Sequence, residues 1–415
     1  MKPSVPRRVG LFVAVVQFFF ALSWTVYVIY LPQLAAQAGI PKPAVIYLLM
    51  LDQLVFLCSD YACGVASDRM ANANGRFGPA VLAATVVSCL AFLLLPYVTP
   101  GAPPALFIAL TVLWAISSSA LRAPPLNLIG RYAPQPSQPA LVALTMLGLG
   151  VAAAISPYLG VTLRNVDPRW PFALSSLTLA LTTLGIVAAE RALQRVAASA
   201  TDVKPASAAT PASASGPLPW ALGMLAAVLA ALAFQVHVFL NSSPLYLRYA
   251  SAADLQHLLP VFWVGFNLGL WPASIATRRY GGVAVMGAAG LLAAAAASLA
   301  QMAGGLGMLL AAQALAGLAW SGVLMSAFSA ALVFGHTGRE GRWSGALSSV
   351  LALAALLRMA ALAGGANAFQ RDSGLGQMLE WAPAVLWLAA GALLIALWKS
   401  RRMTVAIDPA RRAPV

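Results

Sequence analysis

The chain of 415 residues has few charged residues and few cysteines, and each shortage excludes a class of protein. Only 9% of the residues are charged and 61% are hydrophobic, whereas a water-soluble protein of this length needs more charge to cover its surface. The three cysteines, Cys58, Cys63 and Cys89, lie in apolar runs without a CxxC pair, which argues against a metal cluster or a disulfide framework. The sequence lacks a GxxxxGK[ST] loop, so we do not expect ATP to supply energy.

The sequence also lacks the residue sets on which enzymes depend. It contains only three histidines, and none belongs to a recognisable Ser/His/Asp set. We therefore expect no enzyme activity, no catalytic residue, no metal site and no cofactor. The net charge of +14 would suggest nucleic acid in a soluble protein, but the positions of the positive residues explain it without a nucleic-acid partner.

Long apolar runs fill most of the chain. We place twelve spans, most of them about 19–25 residues long, which is enough to cross about 30 Å of hydrocarbon at a rise of about 1.5 Å per residue. The runs are continuous rather than alternating, which favours helices over a β-barrel. The sequence therefore predicts an all-α membrane protein with twelve transmembrane helices, embedded in the lipid bilayer.

Lysine and arginine concentrate at one end of the predicted spans. With the N-terminus inside, nineteen of these 25 residues lie at inner ends and five lie outside. Because positive residues concentrate on the cytoplasmic side, we expect both termini to be cytoplasmic. Arginine is far more frequent than lysine and alanine is abundant, as in GC-rich bacteria, so we expect a multi-pass protein of a bacterial inner membrane.

A stretch rich in alanine, serine and proline divides the chain. Residues 190–217 lack an evident apolar face and are predicted to form a flexible cytoplasmic linker. They separate a six-helix bundle over residues 1–189 from a second over residues 218–399, and residues 400–415 are predicted to form a cytoplasmic tail. Two similar halves with a substrate site between them are typical of secondary transporters.

Charged residues and glycines cluster in the loop between spans two and three, "YACGVASDRMANANGRFG", residues 61–78. As a residue pattern, this is a basic inner loop. Gly64 allows two helices to approach closely, and Asp68 can accept hydrogen bonds from the N-terminus of a neighbouring helix. Arg69 and Arg76 can pair with acids or with lipid phosphates.

The order Gly64-x-x-x-Asp68-Arg69, followed by Gly75-Arg76, resembles the signature loop of the major facilitator superfamily, Gly-x-x-x-Asp-Arg-x-Gly-Arg-Arg. A degenerate copy, "ASIATRRYGG" over residues 273–282, lies between spans eight and nine, with Thr277 in the place of the acid. The arginine that many members carry within span four is absent, and the Gly/Pro motif of antiporters in span five is incomplete.

This resemblance implies alternating access, in which two six-helix bundles with pseudo-two-fold symmetry rock about a central cavity. It implies that Asp68 contacts the N-terminal end of span eleven, near residues 341–345, in the outward-facing state. Arg122, at the inner end of span four, is a candidate partner of Asp68. The incomplete motif in span five does not support export by proton antiport.

Three ionisable residues lie at membrane depth, where the insertion of each charged side chain into the bilayer costs about 2.5–3.5 kcal/mol of free energy. Asp52 and Arg358 lie about 13 and 10 Å from the outer surface, and this similar depth suggests an ion pair between the halves that could be exchanged for a proton or substrate. A static pair, or an Arg358 that binds an anionic substrate, fits equally well. Asp60 is either a proton relay or a structural contact.

Polar and aromatic residues in other spans are candidates for the wall of a central cavity, although each alone is also compatible with packing. They are Gln17, Trp24, Tyr27, Trp114, Gln235, Asn267 and Trp320. Besides Arg358 the predicted cavity offers few charges, which favours a neutral or weakly acidic small-molecule substrate. The sequence carries no oligomerisation signal, so we expect a monomer.

The sequence thus predicts a secondary active transporter of a small solute, with proton coupling left open. One alternative is an assembly or accessory protein that uses the same fold without transport, which would have a central cavity filled with apolar side chains. The other is a passive facilitator, which a pH gradient would not accelerate.

Overall fold

The computed structural model describes residues 7–74, 77–201, 217–336, 338–365 and 374–407. Within these ranges the chain forms helices and turns and no strand. The α-helices are α1 (Arg7–Gln37), α2 (Val45–Asn74), α3 (Gly78–Val98), α4 (Pro104–Ser118), α5 (Pro124–Tyr132), α6 (Gln138–Thr162), α7 (Arg169–Thr183), α8 (Ile186–Thr201), α9 (Pro217–Val236), α10 (Ser242–Tyr246), α11 (Leu255–Leu258), α12 (Pro260–Tyr280), α13 (Gly282–Gln301), α14 (Leu306–Gly335), α15 (Glu340–Ala363) and α16 (Gly374–Ile407).

Twelve helical segments in the described ranges are long and apolar enough to cross a membrane, which confirms the predicted number. Four of these spans consist of two helices each. The span formed by α4 and α5 is interrupted by a 3-10 turn, Ser119–Leu121, immediately before the Pro124-Pro125 pair. Pro124 and Pro125 have no backbone N–H group, so neither can donate the helical hydrogen bond to the carbonyl four residues earlier, and a break over residues 120–121 is expected. The α9–α10 span contains a π-helical turn, His237–Asn241.

The helices form two halves, α1–α8 and α9–α16. Because the number of spans is even, α1 begins and α16 ends at the same end of the bundle. We call this end the Asp68 face, and the opposite end the Asp167 face. The halves meet along two seams, since α2 packs along α15 and α6 packs along α12. We call these the latch seam and the groove seam.

Each half has an aromatic core. In the N-terminal half, Phe92 packs against Trp114 and Phe172, with ring centroids 5.1 and 4.3 Å away. In the C-terminal half, Phe234 stacks on Trp320 with centroids 4.4 Å apart. Small residues elsewhere let helices approach closely, as for the buried alanines of α13 between α14 and α16.

The predicted linker over residues 190–217 starts later than expected, because α8 continues to Thr201. Ile186, Ala189 and Leu193 are buried and give this helix an apolar face, which the alanine-rich composition concealed. Glu190 is also buried, and its carboxylate accepts hydrogen bonds from the backbone N–H groups of Phe77 (2.9 Å) and Gly78 (3.1 Å). It thereby caps the N-terminus of α3. Residues 202–216 lie outside the described residues.

Candidate functional site

On the Asp68 face, one carboxylate joins the two halves. Asp68, near the end of α2, accepts hydrogen bonds from the backbone N–H groups of Gly341 (2.8 Å) and Arg342 (2.7 Å). These amides belong to the first turn of α15 and have no partner within their own helix. The positive end of the helix dipole further favours the carboxylate. The predicted contact between Asp68 and the start of span eleven is thus present in the structure.

Asn127 completes this contact from α5. Its fully buried side chain donates hydrogen bonds to the Asp68 Oδ1 (3.0 Å) and to the Ser67 Oγ (2.8 Å). Asn127 therefore holds Asp68 in the orientation that meets α15. We call Asp68, Asn127 and the amides of Gly341 and Arg342 the latch.

Glycines allow the latch to form. A Cβ placed on Gly64 would overlap the backbone carbonyl oxygen of Gly341 and lie 3.2 Å from the Cα of Gly345. A Cβ on Gly345 would lie 2.6 Å from the backbone oxygen of Asp60. The backbones of α2 and α15 are thus in direct contact along the latch seam, as the sequence suggested for Gly64.

Arg122 does not contact Asp68, contrary to expectation. Its Nε lies 3.1 Å from the Oδ2 of Asp60, two turns earlier on α2, and its guanidinium lies 4.6 Å from the centre of the Phe56 ring. Arg122 follows the 3-10 turn, so α5 carries the chain on toward the Asp68 face and Asn127 reaches Asp68 instead. Asp60 is fully buried and is balanced by Arg122.

Asp52 lies inside the N-terminal half. Its side chain is fully buried, and its Oδ2 accepts a hydrogen bond from the Tyr27 hydroxyl (2.7 Å). Its Oδ1 has no hydrogen-bond partner. The Tyr27 ring packs against Trp114, with centroids 4.6 Å apart, and against Trp24.

Arg358 does not pair with Asp52 in this conformation, so the expected Asp52–Arg358 ion pair is absent. The Arg358 Nε donates a hydrogen bond to the Oε1 of Gln235 on α9 (3.0 Å), and its guanidinium lies 4.7 Å from the centre of the Phe239 ring. Asp52 faces α1, whereas Arg358 faces α9. Depth along a helix axis does not determine the direction in which a side chain points, and this direction separates the two residues.

The remaining predicted site residues lie in different surroundings. Gln17 is buried and donates a hydrogen bond to the backbone oxygen of Leu121 (2.7 Å). Trp114 and Trp320 are only 3% and 2% exposed and pack within their own halves. Asn267 lies at the groove seam, where a Cβ on Gly150 would meet its Oδ1. That these residues line a cavity stays a prediction.

The signature loop is only partly described. Arg69 is exposed, whereas Gly75 and Arg76 lie outside the described residues.

Sequence reasoning missed a polar cluster in the C-terminal half. His237, in the π-helical turn, is buried, and its Nε2 lies 3.0 Å from the Oε1 of Gln313. Gln313 also donates to the Ser242 hydroxyl (3.3 Å). Asn127 was missed as well, because a single asparagine in a helix has no distinctive sequence signal. The available clue was an asparagine among apolar residues in the short helix that the Pro-Pro pair begins.

Two halves of six spans that meet along two seams, with the latch across one of them, form an arrangement typical of secondary transporters. The sequence matches the family model "Major Facilitator Superfamily" over residues 13–268, more than half of the chain. The chain belongs to this superfamily of membrane transporters. No curated protein matches the chain.

Solved structures share the fold. The human organic anion transporter MFSD10 (TETRAN) is similar with a TM-score of 0.64 and 16% identity, covering 95% of this chain and 98% of that one. A variant of the E. coli fucose:proton symporter FucP gives a TM-score of 0.62 and 17% identity, covering 95% and 99%. The proton:xylose symporter XylE gives 0.64 and 14%, covering 98% and 97%. At these identities the likeness concerns the fold.

Proposed function

We propose that the protein is a secondary active transporter that moves a small solute by alternating access, in a bacterial inner membrane with the Asp68 face in the cytoplasm. The observation that carries this proposal is the latch, in which one carboxylate binds the first turn of α15 across the seam between the halves. The excess of lysine and arginine at the predicted inner ends supports the orientation. The predicted bundles over residues 1–189 and 218–399 are both extended by helix, since α8 continues to Thr201 and α16 continues to Ile407, into the predicted tail.

The latch has a strength suited to a reversible contact. A hydrogen bond to a charged group contributes about 1.5–3 kcal/mol, so the two bonds to α15 favour closure of the Asp68 face without making it permanent. A solute that binds the two states with different affinity can then shift the balance between them. With the latch closed, the solute enters from the Asp167 face.

Asp52 is the residue that we propose to carry a proton. It is fully buried, one of its oxygens has no partner, and no cationic side chain of the described ranges pairs with it. An isolated carboxylate anion in an apolar interior is costly, so proton binding relieves this cost. Asp60 already has Arg122 as a counter-charge, so we propose that it positions the span-four break and relays a proton only secondarily.

Arg358 is proposed to meet the solute. No carboxylate in the described part of the chain pairs with its guanidinium, which leaves its terminal nitrogens available to a weakly acidic group on the solute. We propose that uncharged side chains contact the uncharged parts of the solute. They are Gln17, Trp24, Gln235, Asn267 and the aromatic residues around Trp114 and Trp320. The solved neighbours include carriers of an organic anion and of sugars with protons, which agrees with such a solute.

The experiment begins with the purified protein and a thermal-shift screen of metabolite and drug libraries, because a bound ligand raises the melting temperature. Uptake of a ligand so found is then measured in liposomes with and without an inward proton gradient. We expect the gradient to accelerate uptake in the wild type. We expect Asp52→Asn to lose this acceleration while it still exchanges labelled for unlabelled ligand across the membrane.

The control is Asp254→Asn, since Asp254 is an exposed carboxylate on the Asp167 face and outside the proposed pathway. If the gradient has no effect on the wild type, the protein is a passive facilitator. If Asp52→Asn responds to the gradient like the wild type, Asp52 is not the proton site.

The aromatic packing gives one observation in favour of a second candidate function. Tyr27, Trp114 and Trp320 are almost completely buried in this conformation, as expected for an accessory protein whose centre is filled. Such a protein would show no ligand in the screen and no opening of the latch. A ligand that both stabilises the protein and crosses the membrane would exclude this candidate.

A further inference from the structure

The groove seam carries a cavity at the Asp68 face that the transport cycle described above does not use. Its volume is about 490 Å³, and it lies between the start of α6 in the N-terminal half and the ends of α12, α14 and α16 in the C-terminal half. Gln138 lines it on one side, and Arg278, Tyr280, Val333 and Trp398 line it on the other. The cavity therefore touches both halves at once.

The second copy of the signature loop explains why this seam is open. At the latch seam, the acid of the first copy, Asp68, reaches across to α15. In the second copy Thr277 occupies the acid's place, and its hydroxyl lies 2.7 Å from the Ser326 hydroxyl of the same half. A threonine cannot supply a negative charge, so no side chain equivalent to Asp68 crosses to α6 from this position.

The cavity is complementary to an anion. Arg278 lines it and is exposed, and no hydrogen bond or ion pair engages its guanidinium within the described ranges. No aspartate or glutamate lines the cavity. Arg279, the next residue, lies over the Tyr280 ring with 5.3 Å to its centre, which adds a second positive charge nearby. Guanidinium groups bind phosphate with two parallel hydrogen bonds.

The walls of the cavity are apolar and exposed. Tyr280 is 52% exposed and Val333 is 56% exposed, at the end of spans that otherwise cross the membrane. Tyrosine and tryptophan are typical of the level where lipid head groups meet hydrocarbon. A free phosphate ion would leave the apolar wall without a partner, whereas a phospholipid would place its phosphate on Arg278 and its acyl chains along Val333 and Phe334.

We propose that this groove binds an anionic phospholipid of the adjacent leaflet, with its phosphate on Arg278 and its glycerol and first acyl carbons between the halves. Basic pockets between membrane helices are suited to such head groups. Because the lipid contacts both halves, its affinity depends on their relative position. Bound lipid therefore stabilises the arrangement in which the Asp68 face is closed, and it takes the bridging role that Thr277 cannot fill.

The test measures lipid binding directly and does not depend on transport. The full-length protein in detergent is titrated with phosphatidylglycerol or with phosphatidylcholine, and bound lipid is counted by native mass spectrometry beside the melting temperature. We expect phosphatidylglycerol to bind at least fivefold more tightly than phosphatidylcholine and to raise the melting temperature. Arg278→Gln should remove at least fivefold of this affinity.

Two further variants make the test specific. Arg191→Gln removes an exposed arginine of α8 at the same face but outside the groove, and it should bind like the wild type. Val333→Asp introduces a negative charge at an exposed position of the groove and should weaken phosphatidylglycerol binding at least as much as Arg278→Gln. Equal binding of the two lipids, or equal losses in Arg191→Gln and Arg278→Gln, would overturn the proposal. Stabilisation by inorganic phosphate alone would identify a simple anion site instead.

Discussion

Replacement of Asp68 by asparagine tests the latch most directly. The carboxylate accepts hydrogen bonds from Gly341, Arg342 and Asn127, and asparagine has a single acceptor oxygen. Its amide group would face backbone N–H donors, so at least one bond to α15 is lost and the other becomes a neutral bond. Bonds to charged groups contribute about 1.5–3 kcal/mol and neutral bonds about 0.5–1.5, so the closed state should lose roughly 2–4 kcal/mol.

Each 1.4 kcal/mol changes an equilibrium constant about tenfold, so the ratio of molecules with an open Asp68 face to molecules with a closed one should rise about 30- to 700-fold. The assay is a distance distribution between spin labels on cysteines placed at Arg69 and Arg279, two exposed positions in opposite halves of this face. The three native cysteines are first replaced by serine. A second label pair, at Asn165 and Ala252, reports on the Asp167 face, where the distances should shorten as the Asp68 face opens.

Asp254→Asn is the matched control for the label pair on the Asp68 face, because it neutralises an exposed carboxylate of the opposite face that bonds to Ser251 of its own loop. It should leave the distance distribution on the Asp68 face unchanged. If Asp68→Asn also leaves this distribution unchanged while the protein remains folded, the carboxylate does not hold the halves together and the reasoning is wrong.

Three further outcomes follow from contacts in the structure. Gly64→Ala places a methyl group against the backbone of Gly341, and an overlap of this kind costs about 1–3 kcal/mol. The variant should therefore open the Asp68 face in the same spin-label assay, without any change in charge. Glu190→Ala removes the cap of α3 and should cost about 0.5–2 kcal/mol, measured as a lower melting temperature, whereas Glu190→Gln should recover part of this loss. Asp60→Asn and Arg122→Gln should each lower stability, and the double variant should lose less than the sum of the two, as a thermal double-mutant cycle would show.

Features that depend on the composition and length of sequence segments were predictable from the sequence. Twelve spans, the two halves and the contact between Asp68 and the start of α15 follow from apolar length, from the linker and from a resemblance in one loop. The close approach at Gly64 follows from the absence of a side chain. These features require only the position of a residue along its helix.

Features that depend on the direction of a side chain around its helix were not predictable. Asp52 and Arg358 have similar depth but point to different helices. Arg122 was paired with the wrong acid because the 3-10 turn after α4 shifts the following residues around the axis. The helical part of the linker was missed because three buried residues among many alanines give a weak apolar face.

The backbone contact along the latch seam also bears on how fast the halves can separate. Gly64, Gly341 and Gly345 meet at this seam, and glycine has no side-chain rotamers to restrict. Closing this stretch of the seam therefore costs no side-chain entropy at these three residues, and their separation requires no interlocked glycine side chains to come apart. The contact surface is smooth at this place, because backbone meets backbone without side chains between them. In the proposed cycle, the polar contacts across this seam, above all the two bonds from α15 to Asp68, then oppose opening of the Asp68 face, and the glycine surface beside them leaves the approach of the helices unhindered.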